Sequence, residues 1–186
     1  MHIIGGEKRG TKLAACTSPA VRPTAIRTRE ALFNILQGGR YAVSVDGALL
    51  IDLFAGTGAI GLEALSRGAE ICVFVEQDRD ALQTLNTNIA RLGMQDRAVV
   101  LAQDACRLSG WSSAPADFIF ADPPYNSDLA GPALSRLADM KAITQQTLIV
   151  VETRKTEACS LGPLFTQTDS RTYGIARLNF FCLADA

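Results

Sequence analysis

The chain is predicted to fold as an α/β protein, with a Rossmann-like, seven-stranded and mostly parallel sheet, on three observations from its 186 residues. Short, continuously apolar runs end in acids, a glycine-rich turn follows the first of them, and the chain closes on two β-prone runs separated by Tyr173-Gly174. Continuous apolar runs fit parallel strands covered on both faces, because polar alternation is lost when neither face meets water. The closing pair fits an antiparallel hairpin added to the sheet edge.

Each element follows in order. Residues 48–51 (Ala-Leu-Leu-Ile) form the first core strand and end at Asp52. Beyond Gly58, Ile60, Leu62, Ala64 and Leu65 mark a helix that Arg67-Gly68 can stop. Residues 71–75 form a second strand ending at Glu76, and Asp78 can cap a helix whose inner face is Leu82, Leu85, Ile89 and Leu92 before Gly93 closes it. Residues 98–102 and 118–121 are the third and fourth strands, 129–140 a helix, and 147–152 a fifth strand. Residues 165–172 and 175–183 make the C-terminal hairpin.

Composition bounds the possibilities. At 48% hydrophobic and 20% charged residues, the chain supplies one compact core, with residues 41–186 as the Rossmann-like domain and residues 1–40 as a small extension. No apolar run approaches the roughly 20 residues of a membrane helix, and the N-terminus lacks a secretory layout, so a cytoplasmic protein is expected. Five scattered cysteines without a Cys-x-x-Cys pair, and a single histidine, His2, argue against a disulfide framework and against any metal site. Trp111 reads as local packing.

The net charge of −1 hides an asymmetry. Residues 1–40 hold seven basic side chains (Lys8, Arg9, Lys12, Arg22, Arg27, Arg29, Arg40) against Glu7 and Glu30, while the remainder holds eleven against seventeen acids. A basic segment on an acidic body suggests a local phosphate-binding face, since neutralised phosphates release counterions.

Gly56-Thr57-Gly58-Ala59-Ile60-Gly61 satisfies G-x-G-x-x-G, and Glu76 stands twenty residues after the first glycine. That spacing also suits a dinucleotide, so a nicotinamide-dependent oxidoreductase is one reading. Two acids favour S-adenosylmethionine instead. Asp52 at the strand end can meet an ammonium group but would repel a pyrophosphate, and Asp104 after the third strand is placed to accept from an adenine amine. Glu76 is placed to accept from ribose hydroxyls.

Asp122-Pro123-Pro124-Tyr125 directly follows the fourth strand. An aromatic exocyclic amine is a poor nucleophile because its lone pair is delocalised into the ring. Two acceptors, the Asp122 carboxylate and the Pro123 carbonyl, can draw that lone pair out of conjugation. The prolines add no competing N–H, and Tyr125 offers a face for a flipped base. Attack at cytosine carbon 5 is disfavoured, since it needs a cysteine near residue 122 and none is there.

These residues resemble the RsmD-type 16S ribosomal RNA guanine-N2 methyltransferases over nearly the whole chain. The resemblance is carried by Ile3-Ile4-Gly5-Gly6 with Arg9-Gly10 and Lys12-Leu13, and by Arg22-Pro23-Thr24 with Arg27 and the run from Arg29 to Leu36. It continues through the glycine turn with Gly61-Leu62-Glu63-Ala64-Leu65-Ser66-Arg67-Gly68-Ala69, then Asp122-Pro123-Pro124-Tyr125 and Tyr173-Gly174. It implies a class I S-adenosylmethionine-dependent methyltransferase fold, an N-terminal hairpin that grips RNA, and Arg22, Thr24 and Asn34 flanking the cofactor and substrate mouth. Where the family carries an acid before Arg27, this chain has Ile26, so an ion pair there lacks its acid.

The expected sites follow. Asp122, Pro123, Pro124 and Tyr125 are catalytic. Arg22, Thr24, Asp52, Phe54, Ala55, Gly56, Gly58, Glu76, Gln77, Asp104, Ala105 and Asp122 hold S-adenosyl-L-methionine. Lys8, Arg9, Lys12, Arg27, Arg29 and Asn34 meet RNA. The expected reaction is methylation of a guanine N2 amine in 16S rRNA or a 30S assembly particle, by a monomer. An adenine-N6 methyltransferase on DNA or RNA and a non-catalytic RNA-binding scaffold are the alternatives.

Overall fold

The computed structural model describes residues 1–16, 26–41, 43–111, 113–125 and 127–185. Its elements are α1 (Ile26–Gln37), β1 (Leu49–Leu53), α2 (Ala59–Ser66), β2 (Ile71–Glu76), α3 (Arg79–Leu92), β3 (Ala98–Ala102), β4 (Phe118–Ala121), α4 (Ala130–Asp139), β5 (Leu148–Arg154), β6 (Phe165–Tyr173) and β7 (Ala176–Leu183). The seven strands form one sheet in the order β3-β2-β1-β4-β5-β7-β6. The first five are parallel, and β7 runs antiparallel to both β5 and β6. This is the Rossmann-like class I methyltransferase fold expected from the sequence.

Topology fixes where a ligand can bind. From β1 the chain winds outward through β2 and β3, then crosses back to β4 on the other side of β1. The loops leaving β1 and β4 therefore diverge and open a crevice at the carboxyl ends of these strands.

Alternating residues of each central strand feed two cores. On one face Leu50, Phe74, Phe118, Phe120, Leu148, Val150, Leu178 and Phe180 pack with residues of α1, α2 and α3. On the other, Ile51, Leu53, Val73, Val75, Ile119, Ala121, Ile149 and Val151 pack with α4. Burial of each such Val, Leu, Ile or Phe side chain contributes about 1.5–3 kcal/mol. The charge-defined extension shares the first core, since Ile3, Leu13, Leu32, Phe33, Ile35 and Leu36 are buried in it.

Local signals account for the element ends. The Asp78 carboxylate accepts from Ala81 N at 2.8 Å, and Gly93 closes α3 in the left-handed region at φ 67°. Two expectations need correction. Leu82 is only half-buried, since Ala81 takes the inward place in that turn, and the same face also buries the polar Asn88. The hairpin turn lies one residue later than read, because Tyr173 pairs with Ala176 and the turn residues are Gly174 and Ile175.

The N-terminal hairpin is present as an antiparallel bridge between His2 and Lys12, with Ile3 N donating to Thr11 O at 3.0 Å and Gly10 N to Ile3 O at 2.9 Å. No helix among the described residues is long and apolar enough to cross a membrane.

Candidate active site

The carboxyl ends of five strands carry acids. Asp52, Glu76 and Glu152 lie within the last three residues of β1, β2 and β5, Asp122 directly follows β4, and Asp104 follows β3. In the sheet register Asp52 sits opposite Phe74 and Phe120, so Glu76 and Asp122 flank it two residues further on, and Glu152 is level with Asp122. Residues two apart on a strand share a face, which puts Asp52, Glu76, Asp122 and Glu152 on the face covered by α1 to α3.

The glycine turn is shaped by these acids. Phe54 leaves β1 with φ 59°, a strained conformation for a bulky residue and one concentrated at functional loops. Ala55 N then donates to Val75 O at 3.0 Å, and Gly58 N to Ala55 O at 2.8 Å. Gly58 has φ 81°, and a Cβ there would stand 2.3 Å from Leu85 Cδ1, so α3 approaches the loop because residue 58 has no side chain. One Glu76 oxygen accepts from Gly56 N at 2.7 Å, and the other accepts from Gln77 N and Asp78 N at 2.8 Å each. A carboxylate has about four acceptor positions, so one remains for a further donor.

Asp52 is buried and accepts from Gly61 N at 2.9 Å. Burial pushes its carboxyl well above the usual carboxylate range, against the Gly61 hydrogen bond, and the charges of Asp122 and Glu76 push further. Such a row is completed electrostatically by a cation. Asp104 accepts from Cys106 N at 2.9 Å and lies 3.8 Å from Arg107, with its side chain 38% exposed; Ala105 beside it is buried.

Beyond β4, Asp122 is half-buried, Pro123 buried, Pro124 exposed and Tyr125 half-buried. Asp122 N donates to Leu53 O at 3.4 Å, which ties this loop to the end of β1. The Arg154 guanidinium lies over the Tyr125 ring, 4.7 Å from its centroid. A base that stacks on Tyr125 uses the other face or displaces Arg154.

The structure thus gathers Asp52, Phe54, Ala55, Gly56, Gly58, Glu76, Gln77, Asp122, Pro123 and Tyr125 at and beyond the carboxyl ends of β1, β2 and β4. Arg22 and Thr24 lie outside the described residues. Arg9, Lys12, Arg27 and Asn34 are exposed, and Lys8 is half-buried. Lys8 and Arg9 sit at the hairpin turn, where Lys8 N donates to Ser66 Oγ at the C-terminal end of α2. That end is about 12 Å from Gly58 along the helix, so these two are remote from the crevice.

Arg29 is a correction. It was expected at an RNA-binding face, but it is fully buried, donates to His2 O and lies 3.7 Å from Glu63. Burial presses its guanidinium below the ordinary value, against the raising effect of Glu63. Its role is to hold the extension.

Glu63 gathers the other contacts of that junction. Its two oxygens accept from Ile4 N at 2.7 Å, Gly5 N at 2.8 Å and Arg67 Nε at 2.8 Å. Gly6, at φ 75°, would carry a Cβ only 1.7 Å from Ser66 O, so the second glycine of the pair serves close contact with α2. Asn88 does the same work nearer the crevice. It accepts from Ala14 N at 2.7 Å and donates to Thr57 O at 3.1 Å, clamping the incoming segment to the glycine turn. Glu63, Asn88, Glu152 and Arg154 were not singled out in the sequence, although Glu152 ends an apolar run as Asp52 and Glu76 do.

Comparison with known proteins agrees with this arrangement. The family model described as conserved hypothetical protein 95 matches residues 1–182. Ribosomal RNA small subunit methyltransferase D of Escherichia coli K12 is 40% identical over 152 residues, covering 82% of this chain and 74% of its own. The protein of the same name from Haemophilus influenzae is 33% identical over 184 residues, with 97% and 93% covered. The solved structure of yhhF from Escherichia coli superposes with a TM-score of 0.80 at 32% identity, over 98% of this chain and 97% of the other. With its fold, its glycine turn and its Asp-Pro-Pro-Tyr loop set against these relatives, the chain belongs to the RsmD family.

Proposed function

We propose that this protein methylates the exocyclic N2 amine of a guanine in small-subunit ribosomal RNA, with S-adenosylmethionine as donor, in the cytoplasm and as a monomer. The observation that carries the reading is the adjacency, across one strand pair, of the Asp122-Pro123 loop and the acid-lined glycine turn. Relatives named as ribosomal RNA small subunit methyltransferase D support the RNA substrate.

The residues fit the cofactor. Asp52, buried and pushed toward neutrality by its surroundings, gains a counter-charge when an amino-acid ammonium approaches. Glu76 keeps one acceptor position for a ribose hydroxyl, and Asp104 and Ala105 are assigned to the adenine ring in this reading. Bound there, S-adenosylmethionine supplies an electrophilic methyl carbon on a positively charged sulfur.

The chain's own residues prepare the amine. The Asp122 carboxylate and the Pro123 carbonyl accept its two hydrogens, which turns the nitrogen lone pair out of the ring system. Neither proline carries an N–H that could compete for these acceptors. As positive charge grows on the nitrogen, a fixed Asp122 stabilises it without reorganisation. A strong base is not needed, because the product ammonium gives its proton to water. Tyr125 stacks the flipped base, and Arg9, Lys12 and Arg27 hold phosphates.

The test is Asp122→Ala. Turnover should fall by about 10²–10³-fold, the loss typical of one preorganised transition-state contact, while S-adenosylmethionine still binds in a titration. Unchanged turnover would contradict the assignment.

A further inference from the structure

Two residues before the end of β5 stands a group that nothing among the described residues explains. Glu152 is 3% exposed, and among the described residues its Oε2 has no hydrogen-bond partner and no ion pair includes it. Buried polar atoms are almost always partnered, so an orphaned carboxyl oxygen calls for a ligand or a reason. Burial, and then the charge of Asp122, push this carboxyl up to about 8.

Its direction follows from the register. β4 and β5 are parallel with Ala121 paired to Val151, which makes Glu152 the neighbour of Asp122. Phe120 and Val150, two residues back on each strand, belong to the same core, so both acids rise from one face. They stand one strand spacing apart, about 4.8 Å. That step is comparable to the distance between N2 and O6 along the Watson–Crick edge of guanine.

If Asp122 and the Pro123 carbonyl hold N2, the next atoms along the base are N1 and O6. In guanine these form a lactam edge, with N1–H a donor and O6 an acceptor. We infer that Glu152 selects guanine, its carboxyl reading this lactam edge by accepting from N1–H with one oxygen and donating, in its neutral form, to O6 with the other. The inference rests on the guanine-N2 reading above. A carboxylic acid kept neutral by its site is a known hydrogen-bond donor, and reading a flipped base by its Watson–Crick edge is the general mode of such enzymes. A base with a lone pair at N1 and no O6 loses both contacts as arranged, and recovers at most one by reorientation.

The test uses 2-aminopurine, which keeps the 2-amine but has a lone pair at N1 and no O6. Wild-type protein, Glu152→Gln and Glu152→Leu are compared on an RNA carrying either guanine or 2-aminopurine at the position that the wild-type protein methylates. Wild type should prefer guanine by at least about tenfold. Glu152→Gln should keep the preference, because its amide presents the same acceptor and donor. Glu152→Leu should lose it, with transfer to guanine down at least about tenfold and transfer to 2-aminopurine changed much less.

Equal wild-type rates on the two bases would overturn the inference, as would an undiminished preference in Glu152→Leu, which is what a merely structural acid gives. Should Glu152→Leu fail to fold, the wild-type and Glu152→Gln ratios decide. Failure of the underlying reading looks different: wild type then forms no N2-methylguanosine on the unsubstituted RNA, before any variant is made, and the inference falls with it.

Discussion

Replacing Glu63 with Ala removes the anion around which the N-terminal extension is built. In the native protein its two oxygens accept from two backbone amides, Ile4 N and Gly5 N, and from Arg67, with Arg29 3.7 Å away. Both Glu63 and Arg29 side chains are fully buried. The substitution strands a buried guanidinium and two amides. Breaking a buried ion pair on one side costs about 3–5 kcal/mol. The orphaned amides do not add in full, because the hairpin can lift and expose them to water. A loss of about 3–5 kcal/mol is a large part of a typical stability of about 5–15 kcal/mol. For a chain of this length it lowers Tm by about 6–20 °C. Urea unfolding followed by circular dichroism, with thermal melts beside it, measures both. Glu63→Gln, which keeps an acceptor, should lose less than Glu63→Ala. A Glu63→Ala protein within about 1 kcal/mol of wild type would refute the claim that this junction depends on a buried anion.

Three further outcomes are expected. Burial, and then the charge of Asp122, push the Glu152 carboxyl up to about 8 from an ordinary 4.5, so between these values the unfolded chain releases a proton that the folded one keeps. Wild-type stability should then fall relative to Glu152→Gln as pH rises from about 5 to about 8, by up to about 1.4 kcal/mol per pH unit; a pH-independent difference across urea melts would contradict this. Gly58→Ala places a Cβ 2.3 Å from Leu85 Cδ1 at a left-handed position, and should cost about 1–3 kcal/mol from overpacking plus about 1–2 kcal/mol from the backbone; urea stability within about 0.5 kcal/mol of wild type would show that the loop and α3 can part freely. Asp52→Asn removes a carboxyl that burial already disfavours in the charged form. Its stability near pH 8 should be equal or higher while affinity for S-adenosylmethionine drops by about tenfold or more, and calorimetric titration showing unchanged affinity would remove Asp52 from the cofactor site.

The sheet and its crevice were legible because their causes are local. Uninterrupted apolar runs such as residues 71–75 and 118–121 admit no amphipathic helix, and the acid ending each run announces a strand terminus facing a ligand. Asp78 and Gly93 likewise declared the ends of α3 from their own chemistry. The parts that escaped depend on contacts distant in sequence. Glu63 looks like an ordinary helical acid, and its burial follows only from the docking of Ile4 and Gly5, 59 and 58 residues away. Arg29 was grouped with the basic residues of the extension because charge counting cannot tell a buried guanidinium from an exposed one. Asn88 lies on the inward face of α3 among apolar residues, and its partners, Ala14 and Thr57, come from two other segments. Glu152 closes an apolar run as Asp52 and Glu76 do, and its meaning comes from the β4–β5 register.

The most direct test of the account is to supply labelled S-adenosylmethionine and unmodified small-subunit ribosomal RNA, or its assembly particle, and to identify the methylated nucleoside after digestion. The account predicts label in N2-methylguanosine. Label in N6-methyladenosine, or cofactor binding without transfer to either RNA, would contradict it.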